Sequence, residues 1–220
     1  MSQFVRKMSI SAVLSVMLAS CGGGGSDAYH ALGDCFELTP GVKYVRSNDN
    51  LTWIVEEIFE GKPAFGEVKL FADGVRTGVD YQNISDGFVR LLGFMEYDQD
   101  GEARYKKVFS DRAQIPVNLA QGETIEINFT DTETELTPPG TSTITDRTIT
   151  LTFIGLENLT LGNRLFENVC KLTTPDSTKG HSRVYWTAKG FGVIQEEIQD
   201  EHGVIVANSR VALKQILSAP

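Results

Sequence analysis

The sequence predicts an all-β domain: a large, mostly antiparallel curved sheet or half-barrel meander, placed after a cleaved signal peptide. Three observations lead there. Apolar residues alternate with polar ones at period two in several stretches. Runs of this kind are separated by short turns with glycine late in the loop. No capped amphipathic stretch of three helical turns stands out. Pattern alone leaves open whether the sheet closes into a barrel, stays a half-barrel or packs as a sandwich.

In chain order, residues 1–20 read as a secretory leader. Arg6 and Lys7 form a basic start, Met8 to Leu18 a short apolar run, and Ala19-Ser20 a small-residue cleavage site. The apolar run is too short for a bilayer span, which takes about 20 residues. Cleavage after Ser20 would leave 200 of the 220 residues, enough for one domain with a real core. Losing Arg6 and Lys7 takes the formal charge from −9 to −11. An acidic chain of this kind is repelled by nucleic acid, and nucleic-acid binding is set aside.

Leu18-Ala19-Ser20-Cys21 resembles the lipobox of bacterial lipoproteins. The resemblance covers about the first 26 residues. It implies a diacylglyceryl group on the Cys21 thiol, cleavage just before it, and an acylated new amino terminus. Two or three acyl chains would hold the chain at a membrane, because each buried CH₂ contributes about 0.8 kcal/mol. Gly22 stands where an Asp would favour inner-membrane retention in enterobacterial relatives, so the resemblance points to the outer membrane, facing the periplasm. Gly22-Gly23-Gly24-Gly25-Ser26 is a flexible spacer, and residues 21–34 are read as lipidated Cys plus linker. The folded unit is expected over residues 35–220.

With Cys21 assigned to lipid, Cys35 and Cys170 remain. An exported chain meets an oxidising compartment, so a Cys35–Cys170 disulfide is expected.

Period two is clearest in Glu123–Thr130, where Ile125, Ile127 and Phe129 share a face, and in Thr148–Phe153, where Ile149, Leu151 and Phe153 do. Further strands are expected over Val42–Arg46, Leu51–Phe59, Phe65–Phe71, Phe88–Tyr97, Arg104–Phe109, Leu165–Leu172, Ser182–Lys189, Phe191–Gln199 and Val204–Leu213, giving about eight to eleven. Asp73-Gly74, Asp98–Gly101 and Asp200–Gly203 mark tight turns, and Thr137–Thr141 a longer polar loop. Asp131, Glu133 and Glu135 read as charges guarding an edge strand.

Val184 to Glu196, with Trp186, Ala188, Gly190, Gly192 and Val193, resembles a hairpin near the end of many uncharacterised bacterial envelope lipoproteins built as curved antiparallel sheets. Gly190 and Gly192 are expected to permit a bend or bulge near a packed Trp186.

The sequence contains no nucleophile elbow, no His-Glu-x-x-His and no phosphate loop. Its three histidines are His30, His181 and His202, the first and last expected in solvent. Glu96-x-Asp98-x-Asp100-Gly101 mimics the front of a calcium loop, but Lys107 occupies the twelfth position, where a bidentate Glu is needed. A hairpin turn is the better reading. Asn50, Asn83, Asn128 and Asn158 begin Asn-x-Ser/Thr triplets that are incidental in a bacterial lipoprotein. No catalytic, cofactor or metal residues are assigned. The leading expectation is a non-catalytic binding or scaffold protein, using one sheet face for a partner protein or an apolar ligand. The alternative is a periplasm-facing hydrolase with dispersed acidic residues, which requires a cleft with two carboxylates and raised pKa values.

Overall fold

The structure is a computed structural model that describes residues 32–71, 73–137 and 140–219. Cys21, the leader, the glycine spacer, His30 and Pro138-Pro139 lie outside the described residues. One short helix, α1 (Leu32–Phe36), precedes thirteen strands. These are β1 (Lys43–Arg46), β2 (Leu51–Phe59), β3 (Lys62–Leu70), β4 (Arg76–Ser85), β5 (Phe88–Tyr97), β6 (Ala103–Phe109) and β7 (Gln114–Pro116). They continue with β8 (Thr124–Glu135), β9 (Ser142–Leu161), β10 (Arg164–Pro175), β11 (Ser182–Ala188), β12 (Gly192–Gln199) and β13 (Val211–Ser218).

The strands hydrogen-bond in the order β4-β3-β2-β1-β13-β12-β11-β10-β9-β8-β6-β5-β7, and β4 also pairs with β5. With that hairpin, from Gly78↔Glu96 to Ser85↔Phe88, the strands form a meander that passes over β7, and the pairing of β1 with β13 joins its first strand to its last and closes a twelve-stranded antiparallel ring. The half-barrel alternative is thereby corrected to a closed barrel. Within the ring, β4 links β3 to β5 and is a strand absent from the sequence expectation. β7 pairs with β5 over Phe88–Arg90 and continues the lane that β6 occupies over Gly93–Tyr97.

Most expected strands form at the expected place, and Leu51–Phe59 and Phe88–Tyr97 match to the residue. Two differ in extent. β9 runs far beyond Thr148–Phe153 because its first half pairs with β8 and its second with β10. The last strand begins at Val211, not Val204. Asn208 takes a left-handed φ of 61°, and the Ser209 hydroxyl binds the Ile198 backbone, so residues 204–210 form a detour holding one bridge, Gln199↔Ile205.

The turns work as their composition suggests. Asp98 Oδ1 accepts from the backbone N–H of Asp100 and Glu102, and Asp200 Oδ1 accepts from those of His202 and Val204. In both loops the glycine three residues on has positive φ, 81° and 76°.

α1 lies against the inner face of the wall. Cys35 bonds Cys170 of β10 with Cα atoms 5.9 Å apart. Leu32 and Gly33 are buried as well, so packed structure begins within the segment read as linker. Around α1 gather Val89, Ile127, Phe129, Leu151, Phe153 and Leu172, which are strand residues facing inward, and Ala113, Ile115 and Leu119 from the β6–β8 connection. A second cluster joins Tyr44, Ile54, Phe166, Trp186, Phe191 and Ile194. A third sits on the other face of the β2–β5 wall, where Val55, Phe59, Val68, Val79, Tyr81 and Leu92 pack together. Phe59 stacks on Tyr81 at 4.3 Å. Gly93 permits that curl: a Cβ there would overlap the Lys107 carbonyl.

Candidate functional site: a charged cavity in the barrel

Register places Tyr44, Thr52, Ile54, Glu67, Lys69 and Asp80 on one face of the wall, through the pairs Tyr44↔Thr52, Thr52↔Lys69, Ile54↔Glu67 and Glu67↔Asp80. That face looks inward, because side chains from β1, β3, β4, β5, β6, β11 and β12 converge on one cavity of about 410 Å³. One side of the cavity is ionic: Arg46, Glu67, Lys69, Asp80 and Glu196. The lining also includes Phe36 and Leu38 from the entering segment, with Leu91, Phe109 and Tyr185 from the wall. Gln82 ties the two together by donating from Nε2 to the Phe36 carbonyl at 2.8 Å.

Arg46 is the hub. It is 8% exposed. Its Nη2 donates to Glu67 Oε1 at 3.2 Å and to the Val193 carbonyl at 2.7 Å, and its Nη1 donates to Glu196 Oε1 at 3.2 Å. Its Nε–H is buried with no acceptor. Burial opposes the guanidinium charge, but the charges around it, Glu67 and Glu196 among them, outweigh it and hold the pKa above the usual arginine value. Burial raises the Tyr44 hydroxyl pKa, and the Glu67 charge adds to it. This hydroxyl stays protonated and donates to the Val193 carbonyl at 3.0 Å.

Burial also raises the Glu67 carboxyl pKa, with Arg46 pulling the other way and Asp80 adding to the rise. Space for Glu67 comes from Gly192, where a Cβ would lie 2.7 Å from Oε2. This is a second use of the glycine-rich hairpin. The expected bulge is present between Trp186 and Thr187, and Trp186 is buried with its indole N–H on the Glu157 carboxylate. Gly190 receives the entering segment: its N–H donates to the Glu37 carbonyl, and its carbonyl accepts from Thr39.

Lys69 and Asp80 form a diagonal pair at 2.5 Å on the cavity wall, with side chains 46% and 57% exposed. Burial lowers the Lys69 pKa, but Asp80 and Glu67 more than offset it, so it lies above its ordinary value. The Lys69 ammonium is thus favoured in its charged form beside Asp80.

The residues singled out in the sequence lie elsewhere. Asp98 caps the β5–β6 turn, and among the described residues no group of three or more His, Cys, Asp and Glu is placed to hold a metal ion. Asp131 and Glu133 do not guard an edge. β8 pairs with β6 on one side and β9 on the other, so these carboxylates pair with Lys107 and Arg147 on the neighbouring strands. Asp131 is only 2% exposed. His202 is exposed beside Glu201, and His181 sits at the start of β11. The ionic group of Arg46, Glu67, Lys69, Asp80 and Glu196 was not foreseen. One signal was available: Glu67 and Lys69 take the inward places in a strand expected over Phe65–Phe71, where a filled core would put apolar side chains.

Fold and site together define a closed antiparallel barrel with a part-ionic, part-apolar interior cavity. No family model matches the chain, and no curated protein matches it. Solved structures of similar architecture include the hypothetical lipoprotein YmcC from Escherichia coli (K12), 18% identical with a TM-score of 0.40, over 83% of this chain and 89% of that one. A lipoprotein candidate from Parabacteroides distasonis ATCC 8503 is 14% identical with a TM-score of 0.46, over 83% and 97%. An exported-protein candidate with a YmcC-like fold from Bacteroides fragilis NCTC 9343 is 11% identical with a TM-score of 0.45, over 83% and 98%.

Proposed function

We propose that this chain is a lipid-anchored protein of the bacterial cell envelope, tethered through Cys21 to the outer membrane on its periplasmic side, and that its barrel serves binding rather than catalysis. The observation that carries the anchor is Leu18-Ala19-Ser20-Cys21 at the end of a basic-then-apolar leader. The binding reading is supported by how the cavity's charges are used. Glu67 is the carboxyl with a raised pKa, which a hydrolase would need, yet Arg46 engages one oxygen and the Val193 N–H also bonds the group. Glu196 is held by the same guanidinium. Carboxylates committed in this way neither transfer protons nor attack a substrate readily.

Mass spectrometry of the protein made in a bacterial host with its own leader tests the anchor. The expected mature chain starts at Cys21 and carries the mass of a diacylglyceryl group plus an amide-linked acyl chain. Cys21→Ala should move the protein from the membrane to the soluble fraction. An unmodified Cys21, or an uncut leader, overturns the proposal.

A further inference from the structure

The cavity has more polar capacity than its own side chains consume, and the unused part has a definite chemistry. Glu67 and Glu196 are taken by Arg46 and the Val193 N–H. Three features are left on the ionic side. Arg46 Nε is buried and lacks an acceptor, although the side chain is 9% exposed and lines the cavity. Lys69 and Asp80 pair with each other, both side chains part-exposed on the cavity wall. A buried N–H without an acceptor is costly and points to a missing oxygen. The cavity is also lined by Phe36, Leu91, Phe109 and Tyr185, which offer it apolar surface.

Charge balance selects the class of ligand. A simple anion that took Lys69 would strand Asp80 in a confined space, and a simple cation that took Asp80 would strand Lys69. Either leaves one charge of a part-exposed pair without its counter-ion, a smaller cost than at a buried site but one that a ligand with both signs avoids. A molecule carrying both signs exchanges one ion pair for two. We propose, building on the binding reading above, that the barrel cavity is a site for a small zwitterion with an apolar side chain: an apolar α-amino acid or short peptide. Its carboxylate is received by Lys69 Nζ and Arg46 Nε, its ammonium by Asp80, and its side chain by the Phe36–Leu91–Phe109–Tyr185 wall. A cavity of about 410 Å³ is at the small end of the roughly 300–1,000 Å³ common for small-molecule sites.

The test is calorimetric titration of the full chain, purified in the form the cell makes and placed in phospholipid nanodiscs if acylated. The probes are L-leucine, L-phenylalanine and Leu-Leu, set against N-acetyl-leucine, which lacks the cation, and leucinamide, which lacks the anion. At least one zwitterion should bind, and both blocked forms should bind at least tenfold more weakly. Asp80→Asn and Lys69→Met, at water-reached positions, should each weaken the zwitterion at least tenfold while leaving the circular dichroism spectrum unchanged. If either variant does not fold, the comparison of blocked and free ligands on the unaltered protein decides by itself. No binding of any zwitterion at 10 mM (a ceiling of roughly −2.7 kcal/mol by the affinity relation), or equal binding of a blocked form, overturns the proposal. The anchor proposal is read separately, from the mass at Cys21, and survives either result.

Discussion

The barrel interior has two halves built on the same wall with opposite solutions. In one, Ile127, Phe129, Leu151, Phe153 and Leu172 close on α1, and the Cys35–Cys170 bond pins that helix in place. In the other, Arg46, Glu67, Lys69, Asp80 and Glu196 occupy the inward positions and leave a cavity. The apolar half gains from every side chain it buries, about 25 cal/mol per Å² of apolar surface. The ionic half must first offset the loss of hydration, and paired buried charges recover that cost only with good geometry. A barrel that needed only stability would fill both halves with hydrocarbon. The contrast locates the part of the interior that spends stability on something else.

Breaking the ionic hub should have the largest effect. Arg46→Leu leaves Glu67 and Glu196 without their shared cation, and loss of one partner of a buried ion group typically costs about 3–5 kcal/mol. Urea unfolding at pH 7.5 should show that loss, and a progressively smaller one as the pH is lowered and Glu67, whose pKa is raised by burial, takes up its proton. A loss independent of pH would mean that the guanidinium matters for packing alone.

The apolar half should respond next, and differently. Removing the 35–170 bond with paired Cys→Ala changes should cost about 2–5 kcal/mol. The same loss should appear at every pH, since no titrating group is involved. α1 should become the first region to lose amide protection in hydrogen exchange. If protection at α1 is unchanged, packing of Leu32 and Phe36 holds the helix without the bond.

The smallest effect is the most diagnostic. Because the Glu67 pKa is raised in the folded state, the folded chain binds more protons than the unfolded chain above the ordinary glutamate value of about 4.3. Below that value both states hold the proton and nothing is lost. As pH rises, the unfolded state ionises first, so stability falls until folded Glu67 ionises too. Glu67→Gln should remove this fall and flatten the curve of stability against pH from about 4.3 upward. An unchanged slope would assign it to other carboxylates. Asp176 and Asp200 act in the opposite sense. Turn N–H groups hold their pKa values low, so their contribution is present at neutral pH and lost as pH falls below the ordinary aspartate range.

The same contrast explains how much was legible beforehand. Strands of the apolar half, such as Glu123–Thr130 and Thr148–Phe153, announce themselves because every inward position is hydrocarbon. β4 does not. Its inward places hold Gly78, Asp80 and Gln82, leaving only Val79 and Tyr81 to suggest alternation. It was missed for the same reason that it lines the cavity, and with it went the unbroken meander from β3 to β5; closure itself comes from β1 meeting β13, which no local pattern reports. Asp131 and Glu133 misled for a related reason: alternation does not show that Lys107 and Arg147 on the neighbouring strands await a charged face, so the strand resembles an edge.

What the sequence determined by itself is local or follows from simple pairing: strand content, the aspartate–glycine turns, the union of Cys35 with Cys170, and the expectation of a lipidated Cys21. What only the tertiary structure decided is the closed ring and the chemistry of its interior. Arg46 meets Glu67 across 21 residues of chain and Glu196 across 150, and no periodicity reports such meetings. Alternation shows that a strand has two faces. Whether a charged face looks out to water or in upon other charges depends on the last pair of strands to close.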